Sequence, residues 1–100
     1  MKILDLNPDG KRDSWPTHLF YCPGCESYHG FNVIDGRGYP VWSYNNDPVR
    51  PTIRASLLVR YPKGDTMHIC HSFITDGQIE FLTDSTHALA GRTVELPDTD

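Results

Sequence analysis

Cys22 and Cys25 are separated by a Pro23-Gly24 turn in the stretch FYCPGCESYHG, and His29 follows four residues after the second cysteine. A C-x₂-C turn of this kind can form a knuckle in which both thiolates face one ion. Zinc takes four ligands in a tetrahedron, and thiolate and imidazole are its usual donors. Cys70 is the remaining cysteine, so it becomes the third ligand, and one histidine completes a Cys₃His shell. Four protein ligands leave no position for water, which makes the expected zinc structural rather than catalytic.

Two of the five histidines compete for the fourth position. His29 closes a compact local chelate, C-x₂-C-x₃-H. His87 is expected in the first turn of a short helix, four residues beyond Thr83, which the hairpin register described below sets opposite Cys70. His71 adjoins Cys70 on an expected strand, so the two side chains point to opposite faces. His68 shares the face of Cys70 but lies about 7 Å along the strand, and His18 ranks last. A thioredoxin-like redox pair would need a following helix in a βαβ unit, which the Pro-Gly turn does not open. Buried thiols acting as small apolar residues are the bland alternative.

Other residues suggest acid–base chemistry. His71, Asp84 and His87 can be read as two imidazoles with an orienting carboxylate. The structural reading is stronger: Asp84 suits a helix N-cap, and His71 suits a packed, hydrogen-bonded position. Ser72 and Ser85 lack the strand–turn–helix elbow of a hydrolase nucleophile. Trp15, Tyr39, Trp42, Tyr44 and Tyr61 either line a groove or fill a small core and its rim, and the second is favoured. Asn45, Asn46 and Asp47 most simply make a turn.

The elements that must position these residues are mostly β. Residues 1–18 are expected to be irregular, with KILDL alone able to pair as an edge strand. HLFYC and FNVID flank the cysteine turn, and Pro48 and Pro51 mark NNDPVRPT as a loop. In IRASLLVRY, residues Ile53, Ala55, Leu57, Val59 and Tyr61 alternate with Arg54, Ser56, Leu58 and Arg60, a period-two pattern with one apolar face. Asp76-Gly77 between two apolar runs signals a type I′ hairpin. Its register sets Thr75 against Gln78, Ile74 against Ile79, Ser72 against Phe81 and Cys70 against Thr83. DSTHALAG is expected to be the one short helix, capped by Asp84 or Ser85 and ended by Gly91, and RTVELP a last strand. The expectation is one small domain over residues 1–100, mostly β (small α+β), of antiparallel hairpins around a zinc-ribbon-like knuckle.

Composition narrows the function classes. The hydrophobic fraction is 38%, below the roughly 45–50% usual for globular domains, so added stability from a metal suits this chain. The net charge is −4 and the nine basic residues are scattered, which argues against a nucleic-acid-binding arm. No apolar run approaches the roughly 20 residues of a membrane span, and the N-terminus has no signal-peptide h-region. A cytoplasmic location is expected.

CPGC, W-x-x-N from Trp42 to Asn45, RPTIRASLL, CHSFITDGQIEFLTDSTHALAG and TVELP together resemble a family of small bacteriophage and prophage proteins of unknown function. Some of its members are labelled ammonia monooxygenase. The resemblance runs from about Phe20 to Pro97 and implies a phage or prophage origin and a metal-binding fold, without an activity. Some relatives carry cysteine where this chain has Ser85, which implies a position near the metal and tilts the fourth ligand toward His87. The expected function is a zinc-stabilised module that binds a protein partner, for instance a host protein. The alternative is a small zinc-dependent hydrolase in which His71 or His87 assists a metal-bound water.

Overall fold

The computed structural model describes residues 1–7 and 15–99. Two antiparallel sheets build it. The first has the order β1-β2-β3, from Leu4–Asp5, His18–Cys22 and Ser27–Phe31. The second has the order β4-β5-β6-β7-β8, from Ser43–Tyr44, Ile53–Lys63, Thr66–Thr75, Gln78–Phe81 and Thr93–Glu95. Within each sheet the strands pair in sequence order, while β3 and β4 lie in different sheets. The part of the irregular N-terminal segment at 8–14 lies outside the described residues; Leu4 and Asp5 pair with Leu19 and His18, the edge strand expected of KILDL.

Strand alternation makes one core from both sheets. Phe20, Cys22 and Phe31 of the first sheet are buried with Ile53, Leu57, Cys70, Ile74, Ile79 and Phe81 of the second. On β6 the inward face carries His68, Cys70, Ser72 and Ile74, while Ile69, His71 and Phe73 look outward and are only half-buried. Cys70 and His71 therefore lie on opposite faces, as their adjacency in a strand requires.

The β6–β7 hairpin has the expected register at Thr75–Gln78, Ile74–Ile79 and Ser72–Phe81. Asp76 and Gly77 take φ of 50° and 82°, the pair of positive values a type I′ turn demands. The ladder ends at Ser72–Phe81, so Cys70 does not face Thr83. Strand β5 departs from simple alternation. Ile53 faces Ile74 and Leu57 faces Ser72, so Arg54, Ala55 and Ser56 together stand opposite Phe73 alone. This bulge leaves Ala55 exposed and resets the strand before Leu57.

The short helix expected at DSTHALAG is absent; residues 84–91 form turns. The cause lies in Ser85 and Thr86. Ser85 Oγ accepts the His71 N–H at 3.0 Å and donates to the His71 carbonyl at 3.1 Å. The Thr86 N–H donates to the Ile69 carbonyl at 2.9 Å and Thr86 Oγ1 accepts the Ile69 N–H at 2.9 Å. These bonds continue the β6 edge beyond the end of β7. A segment held flat in this way cannot also close helical turns. Side chains that bond locally to backbone commonly win this competition.

Candidate active site and metal centre

The cysteine turn joins β2 to β3. Its tightness comes from two bonds: the Glu26 N–H donates to the Cys22 carbonyl at 2.8 Å, and the Cys25 N–H reaches Cys22 Sγ at 3.4 Å. Both sulfurs then face the second sheet, where Cys70 projects inward from β6. The ligand atoms of Cys22, Cys25, His29 and Cys70 all lie within 4.8 Å of one another. Cys22 Sγ and Cys70 Sγ are 3.8 Å apart. A tetrahedron with metal–sulfur bonds of about 2.3 Å has an edge of about 3.8 Å, so this spacing suits two thiolates on one ion. His29 Nε2 is buried without a hydrogen-bond partner among the described residues, and a metal would satisfy it.

Electrostatics favour the same reading. The hydrogen bond from the Cys70 thiol pulls Cys22 down to about 4, with His29 adding to the effect. Burial and the Cys22 charge push Cys25 up to about 11. Donation to Cys22, with burial, raises Cys70 further. The protein alone thus sustains one thiolate here. Ionising all three needs a cation among them.

His87, the other candidate ligand, lies outside this group of four. Its Nδ1 accepts the Leu89 N–H at 3.2 Å, and its ring meets Phe81 edge-on at 4.5 Å. Burial pushes its pKa down. The ring lies against the knuckle: a Cβ on Gly24 would collide with the His87 ring. Because Phe81 and Leu89 pin the ring, it cannot retreat cheaply. Gly24→Ala is expected to cost about 1–3 kcal/mol, the usual penalty of overpacking, measurable by denaturant titration. A neutral result would mean that the knuckle does not rest on His87. His68 Nε2 stands 3.1 Å from Cys25 Sγ, next to the site but not in the group of four.

A second constellation sits on the outward face of the same sheet. His71 Nε2 is 3.0 Å from Ser56 Oγ. Its Nδ1 is 3.0 Å from Asp84 Oδ2 and 3.3 Å from Oδ1. The hydroxyl donates to one ring nitrogen while the other donates to the carboxylate, which sets the tautomer of a general base. Three local features hold it. The β5 bulge presents Ser56, and the Trp42 indole N–H donates to the Ser56 carbonyl at 3.1 Å. The Ser85 hydroxyl and the Leu82 N–H secure the His71 backbone. The turn that carries Ser85 also delivers Asp84. A cleft of about 440 Å³ opens beside His71 and Asp84 on the β7 side, lined also by Glu80, Phe81 and Gly91.

Of the acid–base set expected from sequence, His71 and Asp84 meet and His87 does not join them. Ser72 is buried on the inward face, and Ser85 serves the His71 backbone. Ser56 is absent from the set expected from sequence, where it counts only as part of the polar face of its strand. Its signal was available in the β5–β6 turn. Closing that hairpin at Lys63 and Thr66 sets Leu58 against His71, and Ser56 is then the diagonal neighbour on the same face.

No curated protein and no solved structure matches this chain. A family described as bacterial ubiquitination-like system serine protease (BubE) matches residues 3–82. The match contains Ser56 and His71 and stops two residues short of Asp84. It names a bacterial system and says nothing of a phage origin.

Proposed function

The chain belongs to the family of the bacterial ubiquitination-like system serine protease, BubE, and from that premise we propose that it is a serine protease of such a system. Ser56 is its nucleophile, His71 its general base and acid, and Asp84 the group that orients His71. One observation carries this reading: a histidine bonded through one ring nitrogen to a serine hydroxyl and through the other to a carboxylate. The same arrangement recurs on unrelated folds in several chain orders. Here the order is Ser, His, Asp.

The chemistry follows from the geometry. Ser56 Oγ attacks a peptide carbonyl as its proton passes to His71 Nε2. That proton then leaves with the amine as the C–N bond breaks and an acyl group remains on Ser56. Water, deprotonated by His71, releases the acyl group as a carboxylate. Asp84 stabilises the imidazolium in both halves. The protein partner expected from the sequence becomes, on this reading, the protein that is cut.

Zinc is the proposed occupant of Cys22, Cys25, His29 and Cys70, because thiolate-rich tetrahedral sites suit it. The donors are four and the set lies on the inward face, away from His71, which favours a structural ion over the hydrolytic zinc of the alternative reading. Free thiols and a zinc site suit a reducing cytoplasm. Among the described residues, no helix is long and apolar enough to cross a membrane.

Labelling with a fluorophosphonate tests the assignment. The parent is expected to take up one label per chain, located to Ser56 by mass spectrometry, with His71→Ala unlabelled. A label on another residue, or none on folded protein, would dismiss the triad.

A further inference from the structure

Among the described residues, no strand pairs with the outer edge of β5 beyond Arg54: β4 pairs only with Ile53 and Arg54, and no strand but β4 and β6 lies against β5. The hydrogen bonds on β6 reveal which groups point to that edge. The N–H and carbonyl of His71 and of Ile69 are engaged on the β7 side, by Ser85, Leu82 and Thr86. Alternation then turns the backbone of Ser72, Cys70 and His68 toward β5. Their partners Leu57, Val59 and Tyr61 point back. The backbone groups of Ser56, Leu58 and Arg60 face the other way, out from the sheet. The Ser56 carbonyl is taken by the Trp42 indole, while Leu58 and Arg60 offer N–H and carbonyl groups to whatever lies alongside.

We propose that the substrate binds this edge as an added strand, so that the enzyme takes an extended, unfolded segment of polypeptide rather than a folded loop. This rests on the serine-protease reading above. Three features support an extended chain as the occupant. The free groups recur every second residue, which only another strand can match. They run straight on from the nucleophile, so a paired chain is delivered to Ser56. Pro62 stands at the next outward position and has no N–H to offer, which confines pairing to the stretch beside Leu58 and Arg60.

Proline substitution separates main-chain from side-chain recognition. Pro62 already occupies an outward position of β5, and proline is tolerated on an edge where the N–H is not used by the sheet. Leu58→Pro should therefore keep the fold but remove one edge donor and crowd the approach. The substrate probe is a mixture of internally quenched octapeptides randomised at every position, and fluorophosphonate labelling of Ser56 reports the triad without needing the edge. Leu58→Pro is expected to label within about twofold of the parent yet cleave the mixture at least about tenfold more slowly. Leu58→Ala, which keeps the backbone groups, should cleave within about threefold of the parent. Arg60→Pro is a second edge variant, expected to behave as Leu58→Pro. The proposal is overturned if a labelled proline variant cleaves like the parent, or if Leu58→Ala loses as much as Leu58→Pro. Failure of the parent to label at Ser56 would instead remove the protease reading, and this inference with it.

Discussion

Replacing Ser56 by alanine is expected to lower kcat/KM for peptide cleavage by roughly 10⁴- to 10⁶-fold, the range seen when a triad nucleophile is removed. The melting temperature and bound metal should stay near those of the parent. The reason is local. Ser56 Oγ has His71 as its hydrogen-bond partner, while the contact that shapes the bulge, from Trp42, goes to the Ser56 carbonyl and survives the change. His71→Ala should lose about as much. The double variant should be no worse than either single one, because residues that act as a unit are strongly non-additive. Asp84→Asn should cost on the order of 10⁴-fold by favouring the wrong tautomer of His71. Additive losses in the double variant, or cleavage retained in Ser56→Ala, would refute the assignment.

Removal of the metal is expected to unfold the protein. Cys22, Cys25 and His29 belong to the first sheet or its turn and Cys70 to the second, so an ion held by all four clamps the two layers together. Structural zinc contributes on the order of 10 kcal/mol in small modules, comparable with the total stability of about 5–15 kcal/mol of a typical domain. Chelation under reducing conditions should therefore give a cooperative loss of structure, reversed by added zinc. Cys22→Ser and Cys70→Ser should melt far below the parent. Cobalt substitution reads the shell directly through its tetrahedral, thiolate-rich absorption. His29→Ala should alter that spectrum, while His87→Ala should keep it and lose stability through the lost packing on Gly24. The reverse pattern would hand the fourth position to His87. A folded parent with no bound metal, unchanged by chelator, would refute the metal centre altogether.

Much of the fold was legible because β registers are arithmetic. Asp76-Gly77 names its own turn type, and a two-residue loop then specifies the partners of Thr75, Ile74 and Ser72. The period of two on β6 separates Cys70 from His71 without any structure. The three cysteines were likewise legible as a candidate metal set with one histidine, though the sequence tilted that histidine toward His87 and the structure groups His29 with them.

Tertiary structure decided the rest, for reasons that local pattern does not contain. That His29 lies among the three cysteines depends on how the first sheet lies over the second, a contact made between residues remote in the chain. The turns at 84–91 replace an expected helix because Ser85 and Thr86 find the open edge of β6, a partner that propensity cannot see. The proposed catalytic group required both hairpins and a bulge at once. Alternation alone puts Ser56 on the face of His71, but only the irregular pairing opposite Phe73 and the flattened turn at Asp84 bring hydroxyl, imidazole and carboxylate within hydrogen-bond reach. The sequence pointed to a β protein with a candidate metal set; the bulge in β5, the pairing of β5 with β6 and the turn at Asp84 brought Ser56, His71 and Asp84 together, through contacts between segments remote in the chain that no local pattern contains.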